Sequence, residues 1–92
     1  MRRLRAADDL VVTHDGHLVT IASQRWEPGT FLYDVAFLEL DIVDEGAQLA
    51  VTAWHAGRYA PHQLLRFPVP AALGGQLRAL VEDVAEARAE LA

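Results

Sequence analysis

A chain of 92 residues with 52% hydrophobic content and a formal net charge of −5 reads as one compact domain that buries about 60–65% of its unfolded surface. The acidic balance gives no general attraction to nucleic acid or to anionic membranes, so any such binding would need a local patch. With no cysteine in the chain, disulfides, thiolate nucleophiles and cysteine-based zinc sites are excluded, and a cytoplasmic location is expected.

Residues 1–8 open with Met1-Arg2-Arg3-Leu4-Arg5. The charge is that of a signal-peptide start, but Ala6-Ala7-Asp8-Asp9 stands where an apolar segment would have to follow, so these residues are read as a flexible basic arm. No later apolar run approaches the ~20 residues of a membrane span.

In Leu10 to Ile21, Asp15-Gly16 lies between two runs rich in Val, Leu, Ile and Thr, the signature of a β-hairpin. A type I′ turn centred on that dipeptide pairs His14 with His17, Val12 with Val19 and Leu10 with Ile21. Leu10, Val12, Val19 and Ile21 then share one apolar face. Val11, Thr13, Leu18, Thr20 and Ala22 make a mixed reverse face.

Glu27-Pro28-Gly29-Thr30 is a turn signal, and Phe31 to Val43 reads as a long strand. Alternation of Leu38, Leu40 and Ile42 with Glu39, Asp41 and Val43, extended backward, puts Asp34 on the apolar side. A bulge or break near Asp34 to Ala36 resolves that conflict. A loop over Asp44-Glu45-Gly46-Ala47 pairs Ile42 with Leu49, Leu40 with Val51 and Leu38 with Ala53, which makes Phe37 and Trp54 cross-strand neighbours.

After a loop over Ala56 to Pro61, His62 to Val69 is the last strand, with Leu65, Phe67 and Val69 inward. Pro68 places it at an edge or strand end. From Gln76 onward Leu77, Leu80, Val81, Val84 and Leu91 follow helical spacing. The expected fold is α+β: a single antiparallel sheet of about five strands with a C-terminal helix packed on one face.

Candidate chemistry is sparse. His14, Asp15 and His17 flank one tight turn and offer two imidazoles and a carboxylate to a metal ion, with His55 and His62 as further ligands only if two loops converge. Glu39 and Asp41 alternate outward along a strand, as a solvated face or a docking ribbon for a basic protein partner. Arg25, Trp26, Trp54, Arg58 and Tyr59 interleave arginine with aromatic rings, a pattern suited to stacking single-stranded nucleic acid. Gly74-Gly75 precedes a helix but lacks the Lys and Ser or Thr of a phosphate loop, and Ser23 is the only serine. No motif of a hydrolase, nucleotide-binding enzyme or zinc protease occurs, and no cofactor is implied.

One helix covers one face of such a sheet, leaving Val11, Leu18, Phe37 and Trp54 on the other. An uncovered apolar face points to a partner, and a second copy is the commonest one. The reading is therefore a non-enzymatic interaction module forming a homodimer. A single-stranded nucleic-acid binder is the alternative, and a small enzyme or metal-binding protein built on the His and Asp residues stands behind it.

Overall fold

The computed structural model describes residues 2–24, 29–55 and 62–91. They form two antiparallel sheets and one long helix. The first sheet holds β1 (Arg2–Ala7), β2 (Leu10–His14), β3 (Leu18–Ser23) and β4 (Thr30–Asp34) in chain order. The second holds β5 (Leu38–Asp44), β6 (Gln48–His55) and β7 (His62–Pro70), also in chain order. A 3₁₀ turn over Val35–Phe37 links the sheets, and another over Ala71–Leu73 leads into α1 (Gly74–Leu91). The fold class stands, but the single sheet of about five strands is corrected to a four-stranded and a three-stranded sheet.

Two features account for the difference. Residues 1–8 were expected to be a flexible arm, yet Arg2–Ala7 pairs with β2. Alternation explains it: Leu4 and Ala6 enter the core while Arg3 and Arg5 face solvent. The second feature is the break expected near Asp34. The Asp34 carboxylate accepts a hydrogen bond from the Ala36 N–H at 2.9 Å, an N-cap that stops the strand and starts the 3₁₀ turn. Val35 is turned into the core, and the chain resumes as β5 in the other sheet. The turn expected over Glu27-Pro28-Gly29-Thr30 lies partly outside the described residues.

Both hairpins keep the expected faces but shift register by two residues. Val12 pairs with Ile21 and His14 with Val19, in place of Val12 with Val19 and His14 with His17. Ile42 pairs with Val51, Leu40 with Ala53 and Leu38 with His55, in place of Leu49, Val51 and Ala53. The cause is the same each time. The central turn residues are Gly16-His17 and Gly46-Ala47, closed by the Asp15 N–H to the Leu18 carbonyl (3.2 Å) and the Glu45 N–H to the Gln48 carbonyl (3.0 Å). Glycine thus occupies the first central position, the preference of a type II′ turn, where the first hairpin was expected to place it second in a type I′ turn and the second hairpin to span a four-residue loop. A two-residue shift preserves side-chain parity, so the apolar face survives the correction.

Gly16 has φ +103° and Gly46 φ +91°, the left-handed region where a side chain is strained. Gly16→Val is expected to destabilise the domain by ~1 kcal/mol or more. Equal urea midpoints for wild type and variant would contradict the turn assignment.

The inner faces of both sheets and one stripe of α1 meet in a continuous core. Leu4, Leu10, Val12, Val19 and Ile21 come from the first sheet, and Leu38, Leu40, Val51, Phe67 and Val69 from the second. Leu77, Leu80 and Val84 come from α1, at the spacing the sequence indicated, whereas Leu91 is half exposed at the helix end. α1 lies against the 3₁₀ turn, β5, β1 and β7. Arg88 fastens its last turn by donating from Nη1 to the Leu38 carbonyl at 2.6 Å, which also complements the negative end of the helix dipole.

Candidate interaction surface

The outer face of the first sheet carries three rows of side chains. Arg5, Val11, Ala22 and Thr30 form one, Arg3, Thr13, Thr20 and Leu32 the next, and Leu18 and Asp34 the last. Because α1 packs on the inner side through Leu77, Leu80 and Val84, no described element covers this face. Leu18 is 39% and Leu32 63% exposed, and the two are diagonal neighbours on adjacent strands. The reverse face predicted from the sequence is therefore present, with Leu32 as the residue that sequence reasoning missed. Its parity is set by β4, which was hidden inside one long predicted strand.

The expected interface set divides between the two sheets. Val11 and Leu18 lie on this outer face. Phe37, 55% exposed, ends the 3₁₀ turn and stacks on His55 with ring centroids 5.8 Å apart. Trp54 is half-buried opposite Glu39, and its indole N–H is enclosed without an acceptor among the described residues. Phe37 and Trp54 are thus not cross-strand neighbours, because the 3₁₀ turn removes Phe37 from β5 and the two-residue shift moves its expected partners.

Glu39 and Asp41 are exposed on the outer face of the second sheet. Arg66 lies in the same row as Asp41, across Thr52, and pairs with Glu45 at 2.8 Å. Arg25, Trp26, Arg58 and Tyr59 lie outside the described residues, so Trp54 is the one described member of the proposed stacking set. Gly74 opens α1 buried against Leu49, where an added Cβ would come within 3.4 Å of its Cδ1.

The turn histidines separate. His14 follows the inward parity of Leu10 and Val12 and is only 4% exposed. Its Nδ1 lies 3.3 Å from Asp83 Oδ2 on α1, and Arg2 Nε donates to the same oxygen at 3.3 Å. His17 stays exposed in the turn. Asp15 directs its carboxylate at backbone, accepting from the His17 N–H (2.9 Å) and the Leu18 N–H (2.8 Å). Among the described residues no three His, Asp or Glu side chains are placed to hold a metal ion.

Charge and hydrogen bonding account for the shifted carboxyls here. The Leu18 and His17 amides hold Asp15 below its usual 3.8, and the Arg2 guanidinium, then His14, do the same for Asp83. A cavity of about 260 Å³ lies beside the pair, lined by Arg2, His14, Asp15, Asp83, Glu86 and Glu90 among others. His14 Nε2 is enclosed and has no partner among the described residues. The lining carries acids, an arginine and an imidazole, and the His14–Asp83 pair spans from the first sheet to α1. Its evident work is to tie α1 to the ends of β1 and β2. A buried histidine on a core-facing parity was the available sequence signal for this contact, but its partner is 69 residues away.

No helix of the described residues is long and apolar enough to cross a membrane. No family model, curated protein or solved structure matches the chain.

Proposed function

We propose that this chain is a non-enzymatic interaction module that self-associates through its four-stranded sheet. The observation that supports the reading is the outer surface of that sheet, which no described element covers and where Leu18 and Leu32 are exposed as diagonal neighbours. Removing such groups from water is worth about 25 cal/mol per Å² before association costs are subtracted. A two-fold symmetric contact uses the same patch twice, so one apolar surface suffices.

The test compares charges placed on the two sheets. Leu32→Glu is expected to give a folded monomer by size-exclusion chromatography, while Trp54→Glu on the second sheet leaves the dimer in place. A dimer that survives Leu32→Glu and is lost with Trp54→Glu would move the interface to the second sheet and contradict the reading.

A further inference from the structure

Four strands end a sheet in this fold, and three of them are guarded. β1 carries Arg2, Arg3 and Arg5 and lies beside β7. β5 presents Glu39 and Asp41 and has α1 packed along it. β7 carries Arg66, Pro68 and Pro70. Charges, prolines and covering elements are the devices that keep an edge from pairing with another chain. Among the described residues, β4, Thr30-Phe31-Leu32-Tyr33-Asp34, has none of them before its last residue. It is also the one strand of its sheet with no buried residue, and Leu32 is the most exposed large apolar side chain described.

The hydrogen-bond phase shows which groups this edge offers. The Ser23 N–H donates to the Gly29 carbonyl at 2.6 Å, and the Val35 N–H donates to the His17 carbonyl at 2.9 Å. These bonds bracket β4 and lie in register with the pairs Ile21 to Phe31 and Val19 to Tyr33. Antiparallel ladders alternate bonded and non-bonded pairs, so the odd-numbered residues of β4 bond to β3. Thr30 and Leu32 therefore direct their N–H and C=O groups away from it.

We propose that β4 pairs antiparallel with β4 of a second copy of this chain, with Leu32 on the two-fold axis, joining two four-stranded sheets into one of eight. The inference rests on the self-association reading above and narrows its contact to the sheet edge at Leu32, leaving Leu18 outside it. This register uses all five residues and matches the outward-facing groups. It sets Leu32 against the partner subunit's Leu32, and Thr30 against the partner subunit's Asp34, so that no carboxylate faces another. Phe31 meets the partner subunit's Tyr33, which extends the stacked Phe31–Tyr33 pair (centroids 6.4 Å, planes 8° apart) across the axis. A five-residue edge is only ~17 Å long, so the contact is smaller than a standard interface and a Kd in the micromolar range is expected.

Leu32→Pro tests this without disturbing β3, because the lost N–H is one that points outward and proline is tolerated at such edge positions. Sedimentation velocity from about 1 to about 100 µM should show wild type converting from monomer to dimer, with Leu32→Pro weakening association at least tenfold. Leu32→Lys, which leaves the backbone intact, should weaken it likewise. Leu18→Glu, which charges the outer face one strand in from the pairing edge, should leave the dimer unchanged. A dimer that survives both Leu32 variants overturns the edge pairing. Loss of the dimer with Leu18→Glu also overturns it and favours face-to-face packing, leaving the self-association reading intact. A wild type that stays monomeric throughout overturns both.

Discussion

Deletion of Arg2–Ala7 is expected to unfold the domain. The segment looks dispensable by composition, with three arginines in its first four residues, but Leu4 is 1% and Ala6 4% exposed. Removing it uncovers Leu10, Val12 and the bonded edge of β2, and takes away a strand against which α1 packs. A domain of this size is stable by roughly 5–15 kcal/mol, and Leu4→Ala alone should cost about 2–5 kcal/mol. Losing the whole strand therefore consumes most or all of that margin. Far-UV circular dichroism and urea unfolding check it, and a truncated chain with the wild-type midpoint would show that β1 is not part of the fold.

Phe67→Ala is expected to cost about 3–5 kcal/mol. Phe67 is 2% exposed and pairs with Val51 on the inner face of the second sheet, so the truncation removes buried ring surface and opens a cavity in the core. Its neighbour Arg66 points outward, and its ion pair with Glu45 is about half exposed on both sides, so Arg66→Ala should change stability by about 1 kcal/mol or less. The contrast between adjacent positions is the signature of strand parity. Equal urea midpoints for the two variants would mean that β7 is turned over or absent.

Parity was the part of this fold most legible in the sequence. Leu10, Val12, Val19 and Ile21, and Leu38, Leu40, Val51 and Phe67, lie inward as their alternation indicated. Pairing partners were less legible, because Gly16 serves either of two neighbouring turn centres, the Asp44–Ala47 segment serves as a four-residue loop or a two-residue turn, and each choice keeps the apolar residues together. The break at Asp34 announced itself as a conflict of facing, yet nothing local told that the chain would change sheets there. β1 was missed because its arginines outweighed the alternation of Leu4 and Ala6 in a short segment.

The candidate site was legible only in pieces. Val11 and Leu18 were placed on the correct face, but Leu32 depends on where β4 begins and ends. Grouping Phe37 and Trp54 with Val11 and Leu18 assumed one sheet, and two sheets separate them. The contact of His14 and Arg2 with Asp83 joins the two ends of the chain, a proximity that exists only once both sheets and α1 are assembled.

The absence of cysteine makes oxidative cross-linking the most direct measurement of the proposed contact. Residues facing each other in a hydrogen-bonded antiparallel pair have Cα atoms ~5.5 Å apart, within disulfide reach. Leu32→Cys should form a disulfide-linked dimer under mild oxidation, well ahead of Leu18→Cys and Trp54→Cys at the same concentration. A Leu32→Cys chain that stays monomeric, or cross-links no faster than Trp54→Cys, would contradict the account.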